Sequence, residues 1–120
     1  MRIGLGVIAM AAMLMGAPAL QVAKEFKQND GSAFHGVLHG DEWFHWVDTR
    51  NGYAVKYNPS SRNYEYIRVI GEGDAAHYEF SGVRVPADIE GHSADAPAGV
   101  EKVPMPMLQQ LWKNGRGVRR

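Results

Sequence analysis

The chain has 120 residues, no cysteine, and 13 basic against 13 acidic side chains, so its formal charge is zero. That balance excludes a charge field able to draw nucleic acid or an anionic membrane surface. The missing cysteines exclude a disulfide framework, and the length allows one small core rather than several domains.

Taken from the start, Met1-Arg2 precedes an uncharged apolar run over residues 3–15 and the small-residue exit Gly16-Ala17-Pro18-Ala19. A basic start, a short apolar stretch and an A-x-A site are the marks of a secretory signal peptide. The run is shorter than the roughly 20 residues a membrane-spanning helix needs. The expectation is cleavage after Ala19, export to the periplasm or the extracellular space, and no membrane association afterwards. Residues 20–32 read as a leader that ends in the turn cluster Gln28-Asn29-Asp30-Gly31-Ser32. Val22 and Phe26 fit either a short strand or a helical turn.

Residues 33–85 read as a small antiparallel β domain. Runs rich in Val, Tyr, Trp, Phe and Thr suit a half-buried pleated surface. They place strands over residues 33–39, 42–50, 53–58, 64–70 and, more weakly, 77–85. Gly40-Asp41 and Asn51-Gly52 are two-residue turn signals, the second fitting a type I′ turn in which both central residues need positive φ. From Pro86 the composition shifts to Pro, Ala, Gly and Asp, which predicts an extended linker rather than part of a core. Leu108, Leu111 and Trp112 share one side of a short helix over 107–112, with Gly115 as its stop. The fold class is therefore mainly β: a meander of four to five strands, after a signal-peptide helix and before a tail over 86–120.

Turn placement fixes register, and register fixes faces. A Gly40-Asp41 loop sets Leu38 opposite Trp43, Phe34 opposite Val47 and His45 opposite Gly36. Phe34, Leu38, Trp43 and Val47 are then the expected core. The other face takes His35, Val37 and His39 with Glu42, Phe44 and Trp46. An Asn51-Gly52 loop adds Tyr57 opposite Trp46. Both faces carry rings, so each needs cover or a partner. Cross-strand packing is the favoured reading of Phe44, Trp46 and Tyr57, with a peptide or sugar surface as the alternative.

Reactive chemistry has little support. There is no cysteine and no G-x-S-x-G elbow. His39-Gly40-Asp41-Glu42-Trp43-Phe44-His45 lacks the helical His-Glu-x-x-His spacing of a zinc peptidase. His35 and His39 share a strand face, which leaves a zinc site with His45 as an alternative, although the register sends His45 to the other side.

The nonapeptide Leu38-His39-Gly40-Asp41-Glu42-Trp43-Phe44-His45-Trp46 resembles the N-terminal pro-region of the immune-inhibitor-A family of secreted zinc metalloproteases. The likeness extends to Asp30-Gly31-Ser32-Ala33-Phe34, a D-G-x-x-F opening, to the Asn51-Gly52-Tyr53 turn, and to Ser81-Gly82-Val83-Arg84-Val85. It covers roughly Gln28 to Val85. It implies a folded, non-enzymatic module, without cofactor, that binds, masks or assists the folding of a zinc peptidase. No His-Glu-x-x-His is present, so no catalytic residue carries over. His39, Asp41, Glu42, Phe44, Trp46 and Tyr57 are the expected partner-binding residues, with His39 and Asp41 best placed to approach a partner's zinc. The alternatives are a periplasmic metal-binding protein using His35, His39 and His45, or a truncated protease remnant.

Overall fold

The computed structural model describes residues 22–118. The expected signal peptide falls outside them. Six strands form one antiparallel sheet in sequence order: β1 (Lys24–Lys27), β2 (Ala33–Gly40), β3 (His45–Thr49), β4 (Ala54–Asn58), β5 (Asn63–Ile70) and β6 (His77–Arg84). One helix follows, α1 (Met105–Val118). The mainly β meander stands, with one strand more than expected. The extra strand is β1, built around Phe26 of the leader, whose ring stacks on its ladder partner Phe34 at 5.6 Å.

Both central turns are longer than their sequence signals suggest. β2 and β3 are joined by residues 41–44, with Gly40 paired to His45 and Leu38 to Val47. Asp41 builds this loop. Its carboxylate accepts the N–H of Trp43 at 2.9 Å and of Phe44 at 3.3 Å, and its own N–H donates to the Phe44 carbonyl. Such an aspartate turn competes well with a two-residue bend. The pairing moves by an even number of residues, so each strand residue keeps its face. Leu38, however, loses Trp43 as its partner, and Trp43 leaves the ladder.

The second turn changes faces. Thr49 N–H donates to Tyr53 O and Gly52 N–H to Thr49 O, enclosing Arg50, Asn51 and Gly52. Gly52 has φ 91, while Asn51 is not among the residues with positive φ. The turn is therefore a three-residue hairpin closed by a left-handed glycine, not type I′. Val47 now faces Val55 and Asp48 faces Ala54, one residue from the expected register. A one-residue slip sends every side chain of the neighbouring strand to the other face. Trp46 and Tyr57 thus lie on opposite faces, which corrects the pairing expected for them.

Each face has its own cluster. Phe34, Val47, Val55, Tyr66 and Val85 fill one, with Phe26, Tyr53, Tyr64, Ala96 and Val100 against them. Phe44, Trp46, Ala54, Ile67, Ala76, Leu108 and Leu111 fill the other, with Tyr78, Val103 and Trp112. Of the expected core, Phe34 and Val47 are buried, whereas Leu38 and Trp43 are 47% and 37% exposed. Leu38 sits near the loop end of β2, and Trp43 belongs to the loop itself.

The stretch after Pro86 is extended, as expected, but it is not outside the core. It runs as a strap whose Ala96 and Val100 pack on the first face, while Val103 and α1 pack on the second. Gln28, buried, donates to Val85 O and accepts from Tyr64 N–H. Where β3 ends at Thr49, Asp88 continues the pairing beside β2: Asp88 N–H donates to Ala33 O, and His35 N–H donates to Asp88 Oδ2. Arg50 and Asn51 of the hairpin donate to Gly91 O and Ala94 O. The strap makes its own two-residue turn, with Glu90 at φ 51 and Gly91 at φ 81 between the paired Ile89 and His92. α1 continues past Gly115, which therefore does not stop it. A Cβ at Gly115 would come within 3.0 Å of the Trp43 carbonyl, so the glycine permits close approach of helix and loop.

Candidate functional site

With both faces closed by the chain's own tail, most of the rings expected to meet a partner are already spent. Trp46 is 1% exposed and Phe44 is 6% exposed. Trp46 packs edge-on against Trp112 at 5.9 Å and tilted against Phe44 at 5.6 Å. Both are core residues, as the packing reading favoured, and this corrects their assignment to a partner surface. Tyr57 is 45% exposed, on the opposite face, edge-on to Tyr64 at 5.3 Å.

The histidines do not converge. His39 stacks on Trp46, its ladder partner, at 5.3 Å, and its Nε2 lies 2.9 Å from Asp48 Oδ2. The other oxygen of Asp48 accepts from Trp46 Nε1 at 3.0 Å. One carboxylate therefore fixes both rings, and His39 is not presented to a partner's zinc. His35 lies 2.9 Å from Asp88, which Arg50 also approaches at 4.0 Å. His45 is exposed, pairs with Gly40, and turns a ring nitrogen toward Asp41 O. Among the described residues, no group of three or more His, Cys, Asp or Glu is placed to hold a metal ion. The proposed set of His35, His39 and His45 does not fit zinc, since His35 and His39 are each tied to a different aspartate and His45 falls on the other face.

Space remains open beside the β2–β3 loop. A cleft of about 320 Å³ lies between this loop, the segment Ala76–Tyr78 and the last turns of α1. Trp43, Phe44, Tyr78 and Leu111 form its walls, with Asn114 and Gly115 along the helix. Tyr78 and Phe44 are 5.9 Å apart, centre to centre. Asn114 anchors the helix end: its amide donates to Gly73 O and Ala76 O, and its oxygen accepts from Gln110. Asp41 holds the loop from below, while Glu42 and Trp43 are exposed at its tip.

Lys56 is a neighbour that the sequence reading passed over. Its Nζ donates to His45 O and lies over the rings of Phe44 and Tyr78, 4.8 and 5.2 Å from their centres. Burial lowers its pKa to about 8, because removal from water disfavours the charged amine. The signal was present in the sequence, a lysine inside an otherwise apolar strand, but only the correct register puts it beneath Phe44. Elsewhere, the Arg84 guanidinium, 2.7 Å away, holds the Asp30 carboxyl well below its usual range. Burial, with the nearby Tyr53, pushes Tyr66 up to about 12.

Compared with family models, curated proteins and solved structures, the chain matches none. No helix of the described residues is long and apolar enough to cross a membrane.

Proposed function

We propose that this chain is an exported, non-enzymatic protein-binding module, akin to the pro-region of a secreted zinc peptidase, and that it masks such a peptidase or assists its folding. The contact element is the β2–β3 loop rather than the sheet face. One observation carries this reading: Trp43 is held exposed at a loop pinned by Asp41, at the wall of an apolar cleft. A tryptophan left 37% exposed beside an apolar cleft suits a binding anchor, since interface hot spots favour tryptophan seated beside pockets. The resemblance of residues 38–46 to metalloprotease pro-regions supplies the class of partner. In this reading the residues at the interface are Asp41, Glu42 and Trp43, with Phe44 and Trp46 supporting them from the core.

The test is direct. A secreted zinc peptidase of the immune-inhibitor-A family is incubated with excess purified module, and both its hydrolysis rate and its refolding yield are followed. The module should slow the rate or raise the yield, and Trp43→Ala should weaken either effect about tenfold, or 1.4 kcal/mol. A peptidase unaffected in both measurements at large excess would refute the proposal.

A further inference from the structure

The sulfur of the described chain is confined to one place. The sequence has six methionines and no cysteine. Met1, Met10, Met13 and Met15 precede the described residues, so Met105 and Met107 carry all the sulfur within them. Both sit in the first turn of α1, the helix that packs on the second face. Both are open to solvent: Met105 is 44% exposed and Met107 is 38% exposed.

The two are not equivalent. Met107 lines a cavity of about 210 Å³ between the head of α1 and the end of β5, with Val69, Gly71, Ala76 and Gln110 along the same wall. Residues three, four and seven apart share a helix face, so Met107 shares its face with Gln110, Leu111 and Asn114. Those residues dock the helix: Leu111 is buried in the cluster, and Asn114, held by Gln110, donates to Gly73 O and Ala76 O. Met105 lies two residues back, about 200° round the helix, and is not on that wall. The turn itself has little else to hold it. The N–H groups of Met107 and Leu108 both donate to Pro104 O, at 3.0 and 3.2 Å, and the turn carries no acidic side chain to favour the helix dipole.

We propose that Met107 is an oxidative modification site, at which a peroxide loosens the head of α1 from the sheet. The thioether sulfur attacks one peroxide oxygen and the O–O bond breaks. The sulfur gives up two electrons and becomes a sulfoxide; the second oxygen takes both protons and leaves as water. A flexible apolar side chain is thereby made polar. On the wall shared with Val69 and Ala76, the added oxygen draws water into the seam beside Leu108, which is otherwise buried. On Met105 the same oxygen stays in solvent and leaves the seam dry.

The test treats the full chain with hydrogen peroxide. Peptide mass spectrometry locates the added oxygen, while amide hydrogen exchange and the melting temperature follow the helix. Oxidation at Met107 should speed exchange at the Leu108 to Leu111 amides about tenfold, the mark of local opening, and lower the melting temperature. Met107→Leu keeps the apolar bulk without the sulfur and should abolish both effects, whereas Met105→Leu should leave them intact. A methionine sulfoxide reductase should restore slow exchange. Met107→Gln, polar and similar in length, should reproduce the fast exchange with no peroxide added. Unchanged exchange in α1 once Met107 is fully oxidised would overturn the inference. So would a peroxide response that survives Met107→Leu, or oxidation that stops at Met105.

Discussion

Truncating the two buried leucines of α1 should cost different amounts, although both are almost fully covered. Leu108 is 2% exposed and Leu111 is 4% exposed, and both pack in the cluster of Trp46, Ile67 and Ala54. Burying a leucine is worth roughly 1.5–3 kcal/mol. A cavity term is added only where the surroundings cannot collapse or admit water. Leu111 forms a wall of the open cleft, so Leu111→Ala enlarges a space that solvent already reaches; the cost should stay near the transfer value, about 2 kcal/mol. Leu108 is not a wall of the cleft, so Leu108→Ala leaves a closed void and should cost about 3 kcal/mol. Urea unfolding followed by tryptophan fluorescence measures both, and an unchanged m-value would show that the two variants unfold from the same compact state. If the two together remove about 5 kcal/mol, a marginally stable domain loses much of its stability, and Trp46 should report water before the sheet melts. A loss below about 0.5 kcal/mol for Leu108→Ala, in the range of ordinary surface changes, would refute the claim that α1 is part of the core.

Other outcomes follow from single contacts. The native Lys56 amine releases its proton near pH 8 and the unfolded one near 10.5, so the unfolded chain holds more protons between those values and stability should rise with pH there. Lys56→Met should abolish that rise and be neutral or stabilising by up to about 1 kcal/mol at pH 7, after discounting for solvent screening; melts are best compared below pH 10, because Tyr66 and Tyr64, whose pKa values burial raises, oppose the trend above it. Gly40→Ala should be far worse than Gly52→Ala, since a Cβ on Gly40 would lie 2.2 Å from the Phe44 carbonyl. One on Gly52 meets nothing nearer than 3.5 Å and incurs only the left-handed backbone cost of about 1–2 kcal/mol; equal melting temperatures would contradict this. Asp88→Ala removes the acceptor for the backbone and the ring of His35 and should cost about 1–3 kcal/mol, with faster hydrogen exchange at the His35 amide as its local mark.

The strands were legible because alternation of apolar residues is a local signal: four of those expected over 33–85 lie within a residue of where it placed them, while the one expected over 42–50 begins only at His45. Register was not, because it depended on what the turn residues do with their side chains. Asn51 fits a type I′ turn on its own. In the fold its amide reaches Ala94 and its oxygen accepts from Thr49 Oγ1, and only a chain already strapped across the face makes that choice better. The strap itself was hidden by its composition. Covering a face already filled by Phe34, Tyr53, Tyr64 and Tyr66 takes only small groups such as Ala96 and Val100, so a sequence poor in large apolar residues was enough. Gly115 was misread for a related reason: its value lies in the loop it touches, and a sequence shows only the helix it interrupts.

The same reasoning explains why a site exists at all. Had Gly40-Asp41 turned in two residues, Trp43 would have entered the ladder opposite Leu38 and Phe44 would have extended β3. Instead Asp41 closes on the N–H groups of Trp43 and Phe44, and the two rings part. Phe44 drops into the core beside Trp46, while Trp43 stays outside, where Gly115 lets the end of α1 come alongside. Asn114 then ties that helix end to the Gly73–Ala75 turn, which fixes the far wall. The cleft is therefore a product of the aspartate at the head of the loop. The acid makes the turn, and the turn decides which ring is buried and which is left part-exposed at the cleft.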